Sequence, residues 1–162
     1  MKSKISFISL LLLVFIACKK QDIGPLSDLR DVNSISITNA TDFRPDPTIT
    51  VSKSGAGNIS IVLTLSSKTG RTIKEITKVA ASTSYSLIQG LAGATGFVYN
   101  TASLAGSGTT ITFNTSLTEY VNKGGKLPTA TNLELANRFY FLVTLDDGTI
   151  VITTPVRVLY LD

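Results

Sequence analysis

The chain has no histidine and no tryptophan, and only one cysteine and one methionine among its 162 residues. Lack of histidine removes the commonest general base, the Ser-His-Asp arrangement and most zinc sites. A single cysteine allows no disulfide within the chain. Without tryptophan, the largest amphipathic ring for stacking against a ligand is missing. Charge is also sparse. Charged residues make up 16% of the chain and the net charge is +4, two units of which come from Lys2 and Lys4. After Lys20 the basic residues are scattered singly, so the charge pattern does not point to nucleic acid. Glutamate and long helix formers are few, whereas Thr, Ser, Val, Ile and Gly are plentiful, a balance that favours strands and turns.

The one long apolar run lies at the start. Lys2 and Lys4 precede "ISFISLLLLVFIA", residues 5–17, and Lys19 and Lys20 follow. Thirteen residues at helical rise span roughly 20 Å, short of the ~30 Å hydrocarbon core, so the run reads as the h-region of a secretory signal rather than a permanent span. Phe15-Ile16-Ala17-Cys18 closes it. These four residues resemble the lipobox of bacterial lipoprotein precursors, with Phe15 where Leu is usual. The resemblance implies that the Cys18 thiol takes a diacylglyceryl group and that the peptide is cut before Cys18. It accounts for the lone cysteine, because a thioether is no liability in an oxidising compartment. Two or more acyl chains give stable anchoring, where one is marginal. The stretch "CKKQD" is similar to the charged tethers of outer-membrane lipoproteins from Gram-negative bacteria that use polysaccharides. The implied location is the cell envelope, with the domain anchored to the outer membrane and facing either the periplasm or the outside.

Residues 1–17 are thus expected to be a signal peptide, residues 18–32 a lipidated cysteine with its tether, and residues 33–162 one β-sandwich domain. Within 33–162, period-two alternation recurs. "NSISITN" sets Ile35 and Ile37 on one face; "NISIVLTLS" does the same for Ile59, Ile61, Leu63 and Leu65; "TTITFNTSL" points Ile111 and Phe113 inward. "RTIKEITKVA" has two readings. Ile73, Ile76 and Val79 fit a helical stripe, but Thr72 and Thr77 and the β-rich context favour a bulged strand. The glycine-rich stretch 89–108 predicts one or two short strands around Phe97–Thr101. Thr131 and Glu134 have capping-box spacing, which predicts a helical turn near Asn132–Ala136. "RFYFLVTL", "DDG" and "TIVITTPVRVLYL" predict a hairpin with Asp147-Gly148 at its tip, and Pro155 marks a bulge or an edge in the last strand. About seven short strands fit an all-β fold of two packed antiparallel sheets. The pattern resembles immunoglobulin-like and fibronectin-type domains. A jelly roll or small barrel is the alternative.

Little of this suggests catalysis. Asp42 and Asp46 flank Arg44 in one loop and are the candidate calcium ligands; the competing reading is that they solvate a proline-rich turn. Asp146 and Asp147 suit a hairpin tip, and Glu75, Glu119 and Glu134 stand apart in sequence. None shows the paired carboxylates a glycosidase requires. No cofactor is expected. Among Tyr85, Phe97, Tyr99, Tyr120 and Tyr140, the pair Tyr99 and Tyr120 lies beside the two long loops and is the candidate ligand-binding pair, with core packing as the rival reading. The expected protein is a non-enzymatic, lipid-anchored binding module, with a glycan or an envelope protein as partner. The alternatives are a structural sandwich docking by an edge strand, and a carboxylate-dependent hydrolase.

Overall fold

A computed structural model describes residues 32–52, 57–68, 70–83, 88 and 98–161. The elements in chain order are β1 (Asn33–Ile37), β2 (Thr48–Ser52), β3 (Asn58–Ser67), β4 (Ile73–Ser82), β5 (Leu104–Gly108), β6 (Thr110–Ser116), α1 (Leu117–Asn122), β7 (Arg138–Leu145), β8 (Ile150–Ile152) and β9 (Arg157–Leu161). The residues from Val32 onward form one compact unit. The fold is all-β with mainly antiparallel pairing, and nine strands among the described residues replace the expected seven or so.

Among the described residues three sheets form, with strand orders β1-β3-β6, β5-β4-β7-β8 and β2-β9. In the first, β3 is central. Its inward residues Ile59, Ile61, Leu63 and Leu65 are buried, and Ile61 sits opposite Phe113 while Leu63 sits between Ile37 and Ile111. In the second, β7 is central, and it is buried on both faces. Phe139, Phe141, Val143 and Leu145 enter the main core, while Tyr140 and Leu142 pack with Ala80 and Ile88 on the other side. This is why β7 reads as a near-continuous apolar run rather than a clean alternation.

From Ile73 onward the ambiguous stretch 71–80 belongs to β4, a strand. Its register against β7 shifts between Ile73 and Glu75 and again between Ile76 and Lys78. Each shift sets an extra residue on β4 against β7, as in a β-bulge. Ile73, Ile76 and Val79 therefore all face inward, opposite Leu145, Val143 and Phe141. Two bulges turn a period of two into a period of three, and so imitate a helical stripe.

The apolar faces of the two larger sheets meet in one core, a sandwich-like arrangement. Phe113 of β6 contacts Phe139 and Phe141 of β7, with ring centroids 5.9 and 5.4 Å apart. Tyr99 and Tyr120 close on Phe139 from either side, at 5.3 and 6.1 Å. The third sheet arises because the last strand changes partners. β8 pairs with β7 only through Ile152. Thr153 then returns a hydrogen bond to Phe141 (3.0 Å), Val156 pairs with Phe139, and β9 runs parallel to β2 with Arg157 beside Thr48. Pro155, which has no N–H to donate, lies in the interruption between the two paired segments.

Two local expectations are corrected. Residues 132–136 are not helical: the Leu135 N–H donates to Val158 O (3.0 Å) and the Leu133 carbonyl accepts from the Tyr160 N–H (2.9 Å), so the segment flanks β9. A sheet partner for these groups outweighs one isolated helical turn. The helix forms instead at α1, where Ser116 is the N-cap and its hydroxyl accepts from the Glu119 N–H at 3.1 Å. Among the described residues of the glycine-rich stretch, the strand is β5 at 104–108; at 98–101 Val98 makes an isolated bridge to Ala80 and the Tyr99 N–H donates to Val79 O (2.7 Å).

Two outcomes follow from this packing. Phe139→Ala removes a fully buried ring with three aromatic neighbours, and urea unfolding should show a loss of about 3–5 kcal/mol. Gly125→Ala places a methyl group into the Tyr120 ring. Because that ring is buried and hydrogen-bonded, the expected loss is about 1–3 kcal/mol, read from the same unfolding curves.

Candidate functional site

Cys18 and the tether lie outside the described residues, as do the rings of Tyr85 and Phe97. Tyr99 and Tyr120 are described, and neither presents a ring face to solvent: they are 2% and 0% exposed. Their place as a stacking platform is corrected to that of core residues. Each hydroxyl reaches a partner at the edge of the core. Tyr120 Oη accepts from the Asn137 N–H at 3.2 Å, and Tyr99 Oη is hydrogen-bonded to the Thr115 hydroxyl. Burial raises the pKa of both phenols above the ordinary value.

Asp42 and Asp46 are committed to different partners. Asp42 Oδ1 accepts from the Phe43 and Arg44 N–H groups at 2.7 and 3.2 Å, an Asx-type turn that holds its pKa below the usual range. Asp46 Oδ2 takes the Arg138 guanidinium at 2.7 Å. Their carboxylates thus serve the loop and an ion pair, and among the described residues no group of three or more His, Cys, Asp or Glu side chains is placed to hold a metal ion.

Glu134, solitary in sequence, is the centre of an ionic cluster. Arg157 grips it with two hydrogen bonds, Nε to Oε1 at 2.9 Å and Nη2 to Oε2 at 2.6 Å, and Arg138 approaches Oε1 at 3.8 Å. Arg157 also donates to the Arg44 carbonyl (3.3 Å), and Arg138 reaches across to Asp46. The cluster ties the 42–47 loop, the 134–138 segment and β9 together where the last strand changes sheets. The bidentate bond to Arg157 is the main cause holding the Glu134 carboxyl below its ordinary pKa of 4.5.

Two surface depressions are better placed to receive a ligand. The first, of about 370 Å3, is lined by Gly57, Leu117, Thr118, Val121, Asn122, Leu127 and Tyr160, a mixture of apolar and polar side chains, with Val121 and Leu127 exposed. The second, of about 320 Å3, lies between residues 99–104, β6 and α1, and its polar side chains include Thr101, Asn114, Glu119 and Lys123. Its two charges are held in place. Thr115 Oγ1 donates to Glu119 Oε2 at 3.0 Å; Lys123 Nζ donates to the Tyr99 carbonyl at 2.7 Å and stands 5.0 Å above the Tyr99 ring centroid; Lys123 and Glu119 are 3.7 Å apart. Both depressions border α1. Asn33 pairs with Ser67 at one end of β3 and Asn58 with Ser116 at the other, so α1 begins roughly 30 Å from Asn33.

Sequence reasoning found Tyr99 and Tyr120 but misjudged their environment, and it missed Glu119 with Lys123. The signal was present: Ser116 and Glu119 have capping-box spacing, and Glu119 and Lys123 have the i,i+4 spacing of a helical ion pair. Comparison of the chain with protein-family models, curated proteins and solved structures finds no match.

The ionic cluster yields a pH-dependent outcome. A carboxyl whose pKa is lower in the folded state contributes stability above its unfolded pKa, and that contribution is lost as pH falls through the folded value. Glu134→Gln should therefore reduce unfolding free energy by about 1–3 kcal/mol near neutral pH. The difference from the parent should shrink as pH falls below roughly 4.5, where the unfolded chain takes up the proton, and vanish once the folded carboxyl is protonated at lower pH. Urea titrations at a series of pH values check this, and a pH-independent difference would refute the ionic role.

Proposed function

We propose that this chain is a lipid-anchored, non-catalytic binding module of a Gram-negative cell envelope, held by a thioether at Cys18. The carrying observation is in the leader: a basic start, an apolar run too short to span, and Phe15-Ile16-Ala17-Cys18. The compact unit that begins at Val32 leaves thirteen residues, 19–31, as the tether. Anchoring confines the domain to a surface and raises its effective concentration near partners there. Among the described residues no helix is long and apolar enough to cross a membrane, which is compatible with attachment by acyl chains.

The strand order supports an immunoglobulin-like reading of the sandwich. β1, β3 and β6 correspond to strands A, B and E of that layout, and β4, β7 and β8 to C, F and G. The parallel β2–β9 pair is an extension made by the strand that changes sheets. The non-catalytic reading is supported by the commitments of the carboxylates: Asp46 to Arg138, Asp147 to Arg71 at 3.1 Å, Glu134 to Arg157 and Glu119 to Thr115. A site with a polar lining beside α1 favours a small hydroxylated ligand, in keeping with a glycan-related role.

A second reading, docking of a protein partner by an edge strand, is favoured by β8. This strand ends its sheet, and Ile150 and Ile152 are 48% and 37% exposed along it.

Growth of the expressing cells on labelled fatty acid tests the anchor. The parent chain should carry label and sediment with membranes, with an intact mass that lacks residues 1–17 and includes acyl chains. Cys18→Ala should carry no label and retain the leader. A bare Cys18 sulfur in native material would overturn the proposal.

A further inference from the structure

We propose that the depression between residues 99–104, β6 and α1 is a binding site for a small neutral polyhydroxylated molecule, of the size of one sugar ring. The inference deepens the binding-module reading and rests on it. At about 320 Å3 the depression lies at the lower end of small-molecule sites, which suits a single ring rather than a chain.

The first argument is preorganisation. Thr115 is an inward-facing, buried residue of β6, following Ile111 and Phe113 on the same face. An apolar residue of the same shape would fill that place without a buried hydroxyl to satisfy. Instead Thr115 donates to Glu119 Oε2, so the Tyr99 hydroxyl must donate to Thr115. This directional chain runs from the core to a carboxylate at the surface and fixes its orientation. Lys123 is pinned in the same way by the Tyr99 carbonyl and ring. Neither constraint is needed for an ordinary helix-surface ion pair.

The second argument is the set of groups left open. Glu119 Oε1 is 3.7 Å from Lys123, beyond hydrogen-bond distance, and so remains able to accept. Two of the three Lys123 donors remain for a ligand or water. Asn114, Thr101 and Ser103 line the same depression, and their side chains make no hydrogen bond among the described residues. Leu104 supplies apolar surface beside them. The lining therefore offers a carboxylate acceptor, an ammonium donor, an amide and two hydroxyls, with charges that cancel. Hydroxyl groups both donate and accept, so a neutral polyol satisfies this mixture. An anion would meet Glu119, and a cation would meet Lys123, each with one unfavourable neighbour.

The test is a titration of the full chain in detergent micelles, followed by the side-chain amide signal of Asn114 in 1H–15N spectra. The probes are glucose, galactose and N-acetylglucosamine, with glucuronate and glucosamine as charged counterparts. At least one neutral probe should shift the Asn114 signal saturably, and the charged counterparts should bind more weakly. Glu119→Gln, read by the Asn114 side-chain signal, and Asn114→Ala, read by the backbone amide signals of residues 100–104, should each weaken binding roughly tenfold while the remaining spectrum stays dispersed. No shift with any neutral probe, tighter binding of a charged one, or an affinity that neither substitution changes would overturn the site. Fatty-acid labelling reads the anchor separately. A labelled chain with no sugar response sinks this site alone, whereas sugar binding by a chain with a bare Cys18 sinks the anchoring and spares the site.

Discussion

The contact between Phe113 and Phe139 is the joint on which the rest of the molecule depends. It is where the outer strand of one sheet meets the central strand of the other, and Tyr99 and Tyr120 complete the ring cluster around Phe139. Aromatic pairs at these separations contribute about 0.5–1.5 kcal/mol each beyond their buried area. Their positional effect matters as much. Tyr120 brings α1 down onto the end of the core, and Tyr99 brings its loop against β6. At one end of that cluster the Tyr99 hydroxyl is linked through Thr115 to Glu119 in the polar depression.

A different kind of interaction secures the strand that leaves its sheet. Beyond Pro155 the chain no longer pairs with β8's neighbour alone, and β9 aligns parallel to β2. The short parallel pair is reinforced by Arg157, whose side chain bridges Glu134 and the Arg44 carbonyl, and by Arg138 with Asp46. Arg138 and Asp46 are 92 residues apart in sequence, and Arg157 and the Arg44 carbonyl 113. Both Glu134 and Arg157 are about three-quarters or more buried in their side chains, so water screens the pair only partly.

Much of the fold was legible in the residues. Alternation marked β3 and β6; the Asp-Gly pair marked the β7–β8 hairpin, whose Gly148 adopts a φ of 86°; and the unbroken apolar run marked β7 as central. Where the reading went wrong, the reason was physical. Thr131 with Glu134 and Ser116 with Glu119 share the same capping-box spacing, but only the second is followed by apolar residues that dock a helix: Leu117 and Tyr120 are buried. The first pair lies next to a strand with unpaired backbone groups, and pairing wins. The tyrosines were noticed because they flank loops, yet neighbours in sequence do not reveal whether a ring turns inward.

Composition and periodicity alone determined that this chain makes an all-β unit, that Cys18 has no disulfide partner within it, and that histidine chemistry is closed to it. Those properties are local, because residue type and a spacing of two are enough to state them. Tertiary structure alone decided that Ile73, Ile76 and Val79 share a face, since only pairing with β7 introduces the two bulges. It also decided that the final strand divides between two sheets, and that Glu119, Lys123 and Asn114 converge. These depend on contacts between residues distant in sequence, where the free energy of pairing and burial outweighs what each segment prefers by itself.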